Sequence, residues 1–83
     1  MNEQIAQTII DVCVFLEYSP QEIVDPDAAV GLFEQIASTL QLAEPAVQMS
    51  LRGQFRSLSN NYSGEKVTFV EELADGLGLS GGN

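Results

Sequence analysis

Histidine is missing from this chain, cysteine occurs once, and cationic side chains number only three in 83 residues. Without histidine, the commonest general base near neutral pH and the commonest transition-metal ligand are both gone. A lone Cys13 excludes an intramolecular disulfide and a thiolate cluster, and its neighbours Val12 and Val14 predict a buried, inert thiol. Arg52, Arg56 and Lys66 face 12 carboxylates, for a formal net charge of −9, and the first 51 residues hold no Lys or Arg at all. Such a surface repels nucleic-acid phosphates and anionic lipid and attracts basic proteins. The same charge is also what keeps a small protein in solution. Long apolar runs are absent too. The longest, Ile9 to Leu16, is broken by Asp11 and is too short to span a bilayer. The opening MNEQIAQ lacks the basic start of a secretory signal, so a cytoplasmic location is the default expectation.

What is present is a hydrophobic share of 45% with only 18% charged residues, below the ~25% usual in globular domains. The acidity therefore comes from scarce Lys and Arg, not from surplus carboxylates. Length and composition fit one folded domain over residues 1–78, with a Gly-rich tail at 79–83 expected to fray. Helical spacing predicts a first helix over Asn2–Glu17, with Ile5, Ile9, Val12, Cys13 and Leu16 as its core stripe. Ser19-Pro20 with Glu22 resembles a capping box opening a single turn, and Asp25-Pro26 starts a second helix to Gln41. Its buried stripe is Ala29, Phe33, Ile36, Ala37 and Leu40. A third helix from Pro45 to Asn61 buries Val47, Leu51, Phe55, Leu58 and Tyr62, leaving Met49, Arg52 and Arg56 outside. A fourth, Glu65 to Leu77, contributes Val70, Leu73 and Leu77. Short connections favour antiparallel neighbours, so the expected architecture is all-α, a compact bundle of four short helices.

The motifs that would carry chemistry are weak or incomplete. Glu71, Glu72 and Asp75 share one side of the fourth helix, but their outward position reads as a solvated face before a catalytic dyad. Asp25 and Asp27 alternate as at the start of a calcium loop, yet no Gly follows at the sixth position and no Glu at the twelfth. Size and acidity invite comparison with acyl carrier proteins, but the serine-bearing DSL is missing and Ser38 lies inside a helix. Twelve scattered carboxylates are also thin for imitating DNA, with its charge every ~1.7 Å. No catalytic, cofactor or metal site is expected.

Two surfaces are candidates for binding. Glu17, Tyr18, Glu22, Asp25, Asp27 and Glu34 join the end of the first helix, the turn and the outer stripe of the second. An aromatic beside unpaired carboxylates suits a basic partner, with the ring as anchor and the acids for steering. The plainer alternative is a solvated face with Tyr18 capping the core. Phe15 falls with Gln4, Thr8 and Asp11, away from the expected core stripe. Either it packs under the Tyr18–Val24 turn, or it marks a self-association or partner surface.

Size, the cation-free first half, the four-helix pattern and the missing catalytic groups together resemble the small acidic helical immunity proteins that bacteria encode beside protein toxins. Those that guard against colicin nucleases are similar in kind, and set tyrosines and carboxylates against a basic enzyme surface. YSPQE, at Tyr18–Glu22, resembles their tyrosine-proline segment only superficially, so no residue role is carried across. VDPDAAVGLFEQIASTLQ and FVEELADGLGL also resemble segments of other short bacterial proteins. The resemblance implies a non-catalytic intracellular inhibitor covering a basic site on a partner, such as a toxin, with no nucleic acid or membrane involved. The alternative is an adaptor module that self-associates through the first helix as a homodimer.

Overall fold

The computed structural model describes residues 2–80. Helix α1 (Glu3–Tyr18) is capped by Asn2, whose Oδ1 accepts from the Gln4 amide at 2.7 Å. After one turn closed by the Ile23 and Val24 amides on the Pro20 carbonyl, α2 (Pro26–Leu40) begins at Asp25. The Asp25 carboxylate accepts from the Ala28 amide at 3.0 Å and Pro26 fills the first helical position, as its sequence predicts. Helix α3 (Pro45–Leu58) runs into a 3-10 turn at Ser59–Asn61. Gly64, at φ 64, takes the left-handed conformation that starts α4 (Glu65–Glu71). The fourth expected helix is stepped at Glu72, so that α5 (Leu73–Gly76) continues it as a separate short turn. All the regular structure among the described residues is helical, in a bundle of four helices of seven or more residues plus this last turn.

The core is centred on α3. Leu51, Phe55 and Leu58 pack with Ala6, Ile10 and Cys13 of α1 and with Val70, Leu73, Ala74, Leu77 and Leu79 from the C-terminal part. Val47 and Tyr62, expected in the same stripe, are half-buried, and the Tyr62 hydroxyl accepts from Gln7 Nε2 at 2.9 Å. For α1 the predicted stripe needs correction. Cys13 is buried, but its companions are Ala6 and Ile10, while Ile9 and Leu16 are half-buried and Ile5 and Val12 stand open. The helix is apolar round most of its circumference, so period alone does not choose the arc that meets α3. The arc that meets the core is the one holding Ala6, Ile10 and Cys13, each fully buried. Helix α2 lends Phe33, Ile36, Ala37 and Leu40 to the edge of the core but buries no residue completely.

The chain closes on a polar clasp. Gly78 (φ 70) ends α5 with a paired set of bonds, its own amide to Asp75 O and the Leu79 amide to Ala74 O, which places the Leu79 side chain in the core. Arg52, expected on the outside, is folded inward. It donates to Asp75 Oδ1 at 2.7 Å, Leu79 O at 2.9 Å and Ser80 O at 3.3 Å, and only 11% of its side chain is exposed. Buried Gln48 donates to Gln41 O and Ala43 O and accepts from the Ser80 amide at 2.8 Å. Leu79 and Ser80 are thus fastened, contrary to the tail expected to fray from 79. The remainder of that tail, 81–83, lies outside the described residues.

Candidate binding site at the α1–α2 corner

The last turns of α1 and the first turns of α2 leave a groove of about 340 Å³ between them. Its floor is apolar, with Cys13 and Leu16 on the α1 side and Ala29, Val30 and Phe33 on the α2 side. Ser19, Gln21 and Val24 of the connecting turn, Pro26 at the start of α2 and Glu17 complete the lining. Helical spacing dictates this arrangement: 13, 16 and 17 share one flank of α1, and 26, 29, 30 and 33 share one flank of α2.

Of the predicted site residues only Glu17 lines this groove; Glu22, Asp25 and Asp27 are exposed on the connecting turn and the first turn of α2, next in sequence to the lining residues Gln21, Val24 and Pro26. Glu34 is also exposed, one helical turn past Val30 along the outer wall. Asp25 has a structural duty as well, since its carboxylate caps α2. Tyr18 is not brought into the group. Its ring packs edge-on against Phe69 of α4 at 5.5 Å, Lys66 Nζ lies 5.4 Å from the ring centroid, and its hydroxyl reaches the Glu65 carbonyl at 3.5 Å. Burial, with Glu65 and Glu17 nearby, raises its phenol above the ordinary range. Phe15 is not under the turn either: Leu16 faces Val24 across the groove, and half of Phe15 stays open.

Sequence reasoning missed the groove floor as a surface, because Leu16, Ala29 and Phe33 carry the pattern of a buried stripe. The signal available was the Ser19–Asp25 link, whose single turn holds the two helices apart at that end. Burial pushes the Cys13 thiol up to about 11, so at neutral pH it stays protonated as part of the floor. A second groove, of about 410 Å³, lies on the other side of Phe33, bounded by Thr68, Phe69, Glu72, Leu73 and Gly76. Among the described residues no group of three or more Cys, Asp or Glu is placed to hold a metal ion, and no helix is long and apolar enough to cross a membrane. In comparisons with known proteins the chain matches no family model, no curated protein and no solved structure.

Proposed function

We propose that this chain is a non-catalytic protein-binding domain of the inhibitor or immunity type, and that its α1–α2 corner covers a basic site on a partner protein. One observation carries the reading: an open, mostly apolar groove with Glu17 among its lining residues, no cation among them, and the exposed acids Glu22, Asp25 and Asp27 next in sequence to its lining residues Gln21, Val24 and Pro26. Lysine and arginine combine an aliphatic stem with a charged head. The stem fits a floor of Leu16, Val24 and Phe33, and the head meets carboxylates at the rim. Carboxylates placed this way raise the rate of encounter with a basic surface and make binding fall with ionic strength. The anchor assigned to Tyr18 passes to the groove, since Tyr18 is already held on α4.

The test begins with the protein encoded beside this chain, produced together with it and purified as a complex. The affinity is expected to drop at least tenfold between 50 mM and 500 mM salt. A variant with Glu17→Gln, Glu22→Gln, Asp27→Asn and Glu34→Gln together is expected to lose it almost entirely. Asp25 is spared so that the cap on α2 survives. Binding that ignores both salt and the four neutral substitutions refutes the acidic corner as the contact.

A further inference from the structure

Helices α1 and α2 share a second surface, on the flank facing away from α3. Ile5 (53% exposed), Val12 (37%) and Phe15 (52%) follow one another on α1 at spacings of seven and three, one helical stripe. On α2, Leu32 (43% exposed) sits at spacings of three and four from Ala29 and Ile36, on the same helical stripe as both. Beside them Ile9 and Ile36 pack on the core, Leu16 and Ala29 are half-buried on the groove floor, and the outer residues stay open. The pattern is that of a core face, and this fold covers only part of it.

Charge says what covers the rest. The exposed residues interleaved with these four, Thr8, Gln35 and Thr39, are all neutral, on a chain of net charge −9. Asp11 is the nearest acid on α1 and stands at the margin, bonded by Gln7 Nε2 at 2.8 Å. A basic partner would be met by carboxylates, and the residues of this strip include none. A two-fold interface sets a patch against its own copy, so each carboxylate in it would oppose carboxylates with almost no lysine or arginine to offset them. The neutral strip is a helical face that a second copy can meet without that repulsion. A flank two helices wide and about 24 Å long, the length of 16 helical residues, matches the scale of a small interface, below ~1,200 Å² in total.

We infer that the chain forms a two-fold dimer through this α1–α2 flank, with Val12, Phe15 and Leu32 at its centre. The dimer is weak, dissociating at roughly micromolar concentration as small interfaces do. It leaves the acidic groove of each copy open. Salt acts on it with the opposite sign to the binding proposed above: screening two bodies of charge −9 tightens the dimer and loosens a complex with a basic protein.

Sedimentation equilibrium of the full chain across 5 µM to 1 mM, at 50 mM and 500 mM NaCl, tests this. The expected result is a monomer–dimer equilibrium that is tighter at high salt and weakened about a hundredfold by Leu32→Glu and about tenfold by Phe15→Ser. Both positions are half-exposed, so circular dichroism should show unchanged helix content, and Glu34→Gln, on the other flank, serves as a control that keeps the dimer. A monomer at 1 mM in both salts overturns the inference, as does a dimer that survives Leu32→Glu in a folded chain. Partner binding by Leu32→Glu at unchanged affinity separates failure here from failure of the acidic corner.

Discussion

Helices α2 and α3 are nearly equal in length, 15 and 14 residues, and both start at a proline, yet they do opposite work. Helix α3 is enclosed by α1, α4 and α5 and buries Gln48, Leu51, Phe55 and Leu58. Helix α2 buries nothing completely, has a groove on either side of Phe33 and leaves Val30 and Leu32 open. Mean hydropathy does not explain the contrast, because α2 is the more apolar of the two: PDAAVGLFEQIASTL against PAVQMSLRGQFRSL. Position explains it. The helix with the polar sequence is central because its few large apolar residues fall on one stripe, and its Arg52 and Gln48 are satisfied by the end of the chain. The greasier helix lies outside, and its surplus apolar surface is available for contact.

The comparison breaks most severely at the two phenylalanines. Phe55→Ala empties a fully buried site and is expected to cost about 3–5 kcal/mol. That is a large share of the ~4–12 kcal/mol available to a domain this size. Phe33→Ala opens onto grooves that already exist and is expected to cost about 1–2 kcal/mol. Urea unfolding followed by circular dichroism reads both, and equal losses would mean that α2 belongs to the core after all. Next is Gly78→Ala, with an expected loss of about 1–3 kcal/mol. The new Cβ would sit at φ 70 and 2.7 Å from Gln41 Nε2, which holds the Leu77 carbonyl at 2.8 Å. Asp25→Ala removes the cap of α2 and is expected to cost about 1 kcal/mol. Amide exchange sharpens this last case: protection should fall in the first turn of α2 and stay unchanged in α3.

A pH scan adds a subtler effect. The Cys13 thiol is raised from its ordinary 9.0 to about 11 in the folded chain, so the unfolded chain loses its proton first. Stability from this group is full below about pH 9 and is lost as pH climbs through about 11. Cys13→Ala should flatten that alkaline slope whatever it does to stability at pH 7, and a slope left unchanged by it would assign the loss to other groups.

Much of the fold was legible in the sequence. Asp25-Pro26 and Pro45 mark helix starts that the structure keeps, and Leu51, Phe55, Leu58, Val70, Leu73 and Leu77 are buried as their spacing predicts. The face of α1 was not legible, since an almost continuously apolar helix offers several stripes and only the partner chooses among them. Nor were the burial of Arg52 and Gln48, because their bonds reach 28 and 32 residues ahead to Ser80, beyond any local pattern. At the corner, of the acids grouped from the sequence, Glu17 lines the groove, while Glu22, Asp25 and Asp27 are exposed on the link and the first turn of α2. Tyr18 was misplaced there because its ring has a better apolar neighbour in Phe69, far away in sequence.

The clasp that holds Leu79 and Ser80 has a bearing on how the chain comes into being. A nascent polypeptide that has reached only α3 carries a glutamine and an arginine with no carbonyl or amide from residues 79 and 80 to bond, and a core still lacking Leu79. Completion of the native state of this domain must therefore wait until Leu79 and Ser80 have left the ribosome, which makes its folding a single late event instead of a helix-by-helix accretion.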